Sequence, residues 1–428
     1  MDTIYALATA RGRAGIAVIR VSGPGAWAAA EAMAGKGLQP RTPSLRKLRN
    51  GAGELLDTGL VLLFEQRRSF TGEPVAELMV HGSPAAVMAV EQELGSMDGM
   101  RYAEPGEFTR RAMAAGCLDL AQVEALADLI DAETEFQRKQ AVRILDGAAG
   151  RTIDQWRGKL VRSLALIEAG IDFAEEQLGD FLTEISINLA DVAQEIEAEL
   201  RGVDVRERIR SGFEIAIIGP VNAGKSTLLN VLAGRDAAIT SHIAGTTRDV
   251  IEVQMDLKGY PVTVLDTAGL RETEDEIERI GVERARSRAM EADIRVILLE
   301  HPLAPPVITP RREDIVLVAK ADLHDVTEGG VSAFTGHGID EFLELLVSRL
   351  RARQVPDGFA VRSRHVQALH KAGGALRLAL EGLESQNVMV ELVAADIGEA
   401  IRALDSLIGK VDVEDVLDDI FASFCIGK

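Results

Sequence analysis

The chain has 428 residues, 47% of them hydrophobic and 27% charged, with a formal net charge of −20. That length exceeds what a single hydrophobic core supports, so two or three domains are expected, and the composition excludes a disordered chain. Two distant cysteines, Cys117 and Cys425, exclude a disulfide framework and a four-ligand zinc site. No run approaches the ~18 apolar residues of a membrane span, and the opening MDTIYALATARGRAG lacks the order of a signal peptide, so a soluble, cytoplasmic protein is expected. The charge is uneven: residues 1–117 carry 13 basic and 12 acidic side chains, whereas 214–350 carry 14 and 23. An acidic surface repels phosphate backbones. Any nucleic-acid contact is therefore expected on the near-neutral N-terminal part or on a basic partner.

In chain order, residues 1–117 read as a small α+β domain. Gly15–Val21, Gly59–Phe64 and Val75–Val80 are β-branched runs separated by the turn signals Ser22-Gly23-Pro24-Gly25, Gly72-Glu73-Pro74 and His81-Gly82-Ser83-Pro84. Ala26–Ala34 and Ala85–Leu94 between them look helical. From Leu118 the texture becomes helical, with Val123, Leu126, Leu129 and Ile130 on one stripe, and the pattern continues over 154–210. Residues 363–426 are helical again, with Leu369, Leu376, Leu380 and Leu383 in register. An alternating β/α cassette, about 214–350, lies between these blocks. The economical reading is one helical domain interrupted by a complete inserted domain; two separate helical domains are the alternative.

The cassette opens with a buried-strand pattern, Phe213–Ile218, followed at once by Gly219-Pro-Val-Asn-Ala-Gly224-Lys225-Ser226 and the helical run Thr227–Ala233. This is G-x-x-x-x-G-K-S between a strand and a helix, the context a phosphate-binding loop requires. Backbone amides from Asn222 to Thr227 would wrap the phosphates, Lys225 would reach the β- and γ-phosphates, and the Ser226 hydroxyl would hold Mg²⁺. Gly245-Thr246-Thr247-Arg248-Asp249 follows as a candidate first switch, with Thr247 sensing the γ-phosphate and Mg²⁺. The strand Val262–Leu265 runs into Asp266-Thr267-Ala268-Gly269, where Asp266 meets Mg²⁺ through water and the Gly269 amide meets the γ-phosphate. The strand Ile315–Val318 runs into Ala319-Lys320-Ala321-Asp322, and Ser332-Ala333 follows a short loop. Each tetrapeptide alone is weak evidence; four in order behind a phosphate loop are strong. Asp322 selects guanine, because its carboxylate accepts from N1–H and the exocyclic amine, donors that adenine lacks.

Two departures from the usual motifs stand out. Alanine occupies position 319 where N-K-x-D has asparagine, which predicts nucleotide affinity weaker by about 1 kcal/mol with specificity retained. Leu270 stands where many small GTPases carry a water-orienting glutamine. Either hydrolysis is slow, or another group supplies that function. Arg271–Glu278 offers several carboxylates, for which a solvated acidic run is the plain reading.

Together with Glu278-Arg279-Ile280-Gly281, Pro105–Ala112 (PGEFTRRA), Leu118–Gln122 (LDLAQ) and the ending Phe424-Cys425-Ile426-Gly427-Lys428, these motifs closely resemble the bacterial and organellar tRNA-modification GTPase family MnmE, also called TrmE. The resemblance implies a multidomain fold: an N-terminal α+β folate-binding and dimerisation domain over 1–117, an all-α helical domain over 118–212 and 353–428, and an α/β Ras-like P-loop G domain over 213–352 inserted into it. It implies a homodimer working with an FAD-dependent partner on carbon 5 of the tRNA wobble uridine, with no membrane or DNA role. The one-carbon unit comes from tetrahydrofolate, in its 5-formyl or methylene form. Hydrolysis in the family depends on potassium, which promotes pairing of the G domains.

By position, the family's water-orienting glutamate is Glu278, acting with Thr247 and Gly269 in hydrolysis. Potassium ligands fall on Asn222, Ser241, Ile243 and Thr246, of which Ser241 and Thr246 also border the nucleotide. Such an ion would do the work of an arginine finger. The guanine nucleotide itself falls on Asn222, Ala223, Gly224, Lys225, Ser226, Thr227, Asp266, Lys320, Asp322, Ser332 and Ala333, and folate on Arg20, Glu77 and Lys428. Cys117 replaces the lysine usual before L-D-L-A-Q and removes a cation from the folate neighbourhood. Cys425 is open between a nucleophile or one-carbon carrier and inert packing. The reading that competes with uridine modification is a GTP-regulated assembly factor for ribosomes or other ribonucleoproteins.

Overall fold

The computed structural model describes residues 2–172, 178–235, 238, 252–266, 287–353, 357–385, 388–411 and 427, with backbone only at 170–172, 178–180 and 266. The chain divides into two compact units. One comprises Met1–Ala127, Leu145–Gly158 and Ile401–Lys428, the other Asp128–Ile144 and Lys159–Ala400.

In the first unit, β1 (Thr3–Leu7), β2 (Ala14–Ser22), β3 (Ser44–Arg49), β4 (Leu55–Phe64), β5 (Val75–Gly82) and β6 (Met100–Tyr102) form one sheet in the order β3-β4-β5-β2-β1-β6. All neighbours are antiparallel except β1 and β6. Helices α1 (Ala26–Ala34) and α2 (Pro84–Gly95) cover one face. Alternation drives Ile19, Val21, Val61, Leu63, Leu78 and Val80 into the core beneath them, with Met33, Val90 and Leu94 from the helices. Burying each of these side chains is worth about 1.5–3 kcal/mol before entropy is counted. The opposite face carries Ile4 and Ala6, packed with Ala103, Phe108 and Phe70, and continues into exposed Ile16, Leu45 and Leu60. Helix α3 (Glu107–Ala114) starts from Gly106 in the left-handed region, φ 68°.

The helical texture resolves into α4 (Leu120–Ile130), α5 (Glu135–Leu145), α6 (Ala148–Asp172), α7 (Leu178–Leu200) and α8 (Val203–Ser211). In the second unit, β7 (Phe213–Ile218), α9 (Lys225–Ala233), β8 (Glu252–Leu257), β9 (Tyr260–Asp266), β10 (Ile294–Leu299), β11 (Ile315–Ala319), α10 (Ala321–His324), β12 (Gly330–Val331) and α11 (Ile339–Ala352) follow. The strands form a second sheet in the order β12-β11-β10-β7-β9-β8, parallel throughout except for the antiparallel edge strand β8. Near-continuous apolar runs such as FEIAII, IRVILL and IVLVA suit strands buried on both faces. Two helices complete the unit's described part, α12 (Ser363–Glu384), which packs on α7, and α13 (Val390–Leu407), which the first unit shares from Ile401 onward.

Buried Arg206 on α8 ties the second unit's helices to the irregular segment before α12. It donates to the carbonyl of Ala360 at 3.0 Å and pairs with Glu199 at 3.0 Å. Glu199 in turn accepts from the amides of Phe359 and Ala360, both at 2.7 Å. Gly358 leaves room for this pair: a Cβ there would lie 2.3 Å from the Arg206 guanidinium, which would have to shift.

Candidate functional site

The two glycines of the phosphate loop do different things. Gly219 packs on β10, where a Cβ would come within 3.0 Å of the Leu298 carbonyl. Gly224 sits at φ 88° as the N-cap of α9, a left-handed conformation that glycine adopts without cost. Asn222 holds φ 64° in the same loop. The buried ammonium of Lys225 donates to the carbonyls of Gly219 and Pro220, both at 2.8 Å, which folds it back over the loop. The opening amides of α9 have no acceptor within their own helix and, with the helix dipole, favour an anion at this end. Ser226 lies half-buried in that first turn.

Strand pairing brings the next element alongside. β9 lies parallel to β7 with Asp266 opposite Ile217, so the D-x-x-G segment begins beside the start of the phosphate loop. The positions 241, 243, 246, 247, 269 and 278, the side chain of Asp266, and Cys425 and Lys428 lie outside the described residues.

A cavity of about 290 Å³ joins the rest. Ala223, Gly224 and Thr227 border it from the phosphate loop, Ala319, Lys320 and Asp322 from the end of β11, and Ser332 and Ala333 from the loop after β12. Lys320 takes a left-handed backbone, φ 51°, at the start of α10. Ser332 is buried and anchors its loop: its amide donates to the His337 carbonyl at 2.9 Å, and its hydroxyl accepts from the Thr335 amide at 3.2 Å. The departure at 319 is visible as a buried methyl on the cavity wall. Leu298, Leu323, Val331 and Phe334 also line the cavity and were not singled out from the sequence. Leu323, Val331 and Phe334 adjoin Asp322 and Ser332-Ala333 in the sequence, and Leu298 carries no such signal. The arrangement can hold a phosphate chain at the start of α9 and a planar base against Asp322.

The folate candidates lie on the sheet of the first unit. Arg20 on β2 faces Glu77 on β5 across the strand register and donates to it at 3.0 Å, with 20% and 15% of the two side chains exposed. The guanidinium lies 5.2 Å from the Phe70 ring centre and 5.8 Å from that of Phe108. Gly427, at φ 102°, packs so closely on the Leu7 carbonyl that a Cβ would lie 2.0 Å away. The penultimate residue of the chain therefore docks at the end of β1, the strand next to β2. Cys117 is exposed, and a Cβ at Gly72 would stand 3.0 Å from its sulfur.

The PGEFTRRA motif turns out to be the hub of an ionic network. The Glu107 carboxylate accepts from Arg101, from Arg111 at 2.9 Å and from the Glu104 amide at 2.9 Å. Arg111 also reaches Glu73 at 3.2 Å, and Glu73 accepts from the Ser22 hydroxyl at 2.7 Å. Burial alone would raise the Glu107 carboxyl, but the bonds from Arg101, Glu104 and Arg111 hold it below the usual carboxylate range.

Residues 3–117 match the family described as the GTP-binding protein TrmE N-terminus, and residues 120–425 the MnmE helical domain. The chain is 53% identical over 429 residues to the tRNA modification GTPase MnmE of Roseobacter denitrificans, and 53% identical over 430 residues to that of Ruegeria pomeroyi, with 100% of each chain covered. Among solved structures, the G domain of the T. maritima FeoB iron transporter aligns over 32% of this chain and 98% of its own, at 20% identity and a TM-score of 0.23. Among the described residues, no helix is long and apolar enough to cross a membrane. With both family domains matched in order and full-length identity above one half, the chain belongs to the MnmE (TrmE) family.

Proposed function

We propose that this chain is a GTP hydrolase acting in tRNA modification, and more narrowly in the modification of carbon 5 of the wobble uridine with an aminomethyl or carboxymethylaminomethyl group. The observation that carries the reading is the cavity that unites the start of α9 with Asp322 and Ser332, in a chain whose full-length relatives are named tRNA modification GTPases. The proposed organisation is a folate-binding and dimerisation domain over 1–117 and a G domain over 213–352 set into a helical domain.

Lys225 would exchange its two loop carbonyls for β- and γ-phosphate oxygens, and the first amides of α9 would bind the rest of the phosphate chain. A hydroxyl from Ser226 and the hydroxyl of Thr247, with Asp266 through water, make an all-oxygen donor set that fits Mg²⁺. Asn222, with an amide on an exposed loop residue, fits potassium as one ligand beside Ser241, Ile243 and Thr246. When bound, these cations would offset charge developing on the phosphates. Glu278 would orient the attacking water, with the Thr247 and Gly269 backbones holding the γ-phosphate.

Arg20 and Glu77 present a cation and a carboxylate beside two phenyl rings, a donor set that fits a tetrahydrofolate derivative with its ring, amide edge and carboxylates. Lys428 would complete it, and the docking of Gly427 at Leu7 supports that role. The cofactor would supply the one-carbon unit. The uncovered apolar strip of Ile16, Leu45 and Leu60 supports a homodimer through this domain. An FAD-dependent partner would provide the redox step.

The test uses the purified chain. GTP turnover is expected in potassium and strongly reduced in sodium, and Glu278→Ala is expected to keep GDP binding while losing most turnover. Equal rates in both salts would remove the potassium assignment, and a fully active Glu278→Ala chain would remove the catalytic one.

A further inference from the structure

Phe334 is 91% exposed at the rim of the cavity that Asp322 and Ser332 also line, and Leu323 beside it is 70% exposed. A phenyl ring and a leucine side chain exposed together at the mouth of one pocket form apolar surface that a bound ligand can cover. The loop is fixed independently of the ring. Ser332 holds the His337 carbonyl and the Thr335 amide, the Gly336 amide returns to the Ser332 carbonyl at 2.9 Å, and the His337 amide bonds the Thr335 hydroxyl at 3.3 Å. The ring is therefore presented on a rigid base, and stacking on it would sacrifice little conformational freedom.

Another residue lining the same cavity explains why an aromatic is useful here. At position 319 this chain offers a buried methyl where an amide could have bonded the base. Asp322 grips one edge of a purine but leaves both its faces to the surroundings. We propose that Phe334 is a base-stacking residue of the nucleotide site, covering one face of the guanine and offsetting the polar contact that Ala319 lacks. The stem of Lys320 borders the same cavity and is placed to cover more of the base. The inference rests on the guanine-nucleotide reading and deepens it: affinity here comes from a carboxylate edge and an aromatic face together.

The experiment is calorimetric titration of the full chain with GDP, for wild type, Phe334→Ala, Phe334→Leu and Phe334→Tyr. Stacking on an aromatic face predicts about tenfold weaker GDP binding for Phe334→Ala, a similar loss for Phe334→Leu, and affinity near wild type for Phe334→Tyr. Thermal unfolding without nucleotide is expected to stay unchanged, because the exposed ring supports no core. Wild-type affinity in Phe334→Ala would overturn the stacking role while leaving the GTPase reading intact, and so would a Phe334→Leu chain that binds as tightly as wild type. Failure of the wild-type chain to bind GDP would instead overturn the guanine-nucleotide reading itself.

Discussion

A carboxylate at 322 can accept from two N–H donors on guanine, and among the described residues lining the cavity no other carboxylate offers that pairing. Asp322→Asn replaces one acceptor with an amide that donates, which clashes with the exocyclic amine of guanine but matches the oxygen of xanthine. GTP affinity is expected to fall at least a hundredfold, with xanthosine triphosphate gaining, as competition titrations would read out. At another residue pair the issue is stability. Arg295 on β10 pairs with Asp314, the residue just before β11, each with 2% of its side chain exposed and with one bond at 3.0 Å. Burial alone would raise the Asp314 carboxyl; Arg295 and the Arg311 amide instead hold it below its ordinary 3.8. A depressed folded-state value means this pair stabilises fully above that pH and loses its contribution as pH falls through the lowered value. Asp314→Ala leaves a buried guanidinium unpaired and is expected to cost about 3–5 kcal/mol at neutral pH, measured by urea unfolding, with a flatter acid dependence than wild type.

At the scale of elements, the β8–β9 hairpin shows how much hangs on one turn. Lys258 and Gly259 both have positive φ, 52° and 94°, and a Cβ on Gly259 would meet the Phe136 ring of α5 at 2.9 Å. Phe136 lies 4.6 Å from the Tyr260 ring, so the helix rests on the hairpin. Gly259→Ala is expected to lose about 1–3 kcal/mol of stability, and part of that loss should vanish when Phe136 is also alanine, leaving the backbone strain. None of this was legible in the sequence: K-G is a turn signal, but its neighbour Phe136, far earlier in the chain, is not. The elements that were legible are those with a strong period or a motif. Phe213–Ile218 was read to the residue, because a parallel strand buried on both faces is apolar throughout. β1, β3, β6, β8, β10 and β12 were not singled out. β3 (SLRKLR) is a charged edge strand and β6 and β12 are only three and two residues long, so little apolar pattern marks them. Site residues were legible where chemistry fixes spacing, as at 219–226 and 319–322. Phe334 and Leu323 were not, because an exposed apolar side chain carries no spacing rule.

Across the whole molecule, one unit carries the cavity lined by Asp322 and the other the Arg20–Glu77 pair, the two places proposed above for nucleotide and folate. A chain of net charge −20 has little intrinsic attraction for RNA, so unaided tRNA binding is expected to be weak with a shallow salt slope, and to tighten when the proposed partner protein is present. Filter binding across a salt series would read this out. The proposed function ties guanine-nucleotide hydrolysis in this chain to tRNA modification. Nucleoside mass spectrometry of total tRNA from cells lacking the gene, complemented with wild type or with Lys225→Ala, tests it most directly. Modified wobble uridines are expected to disappear in the deletion and to return only with the wild-type chain. Unchanged uridine modification in the deletion would contradict it and favour a ribonucleoprotein assembly role instead.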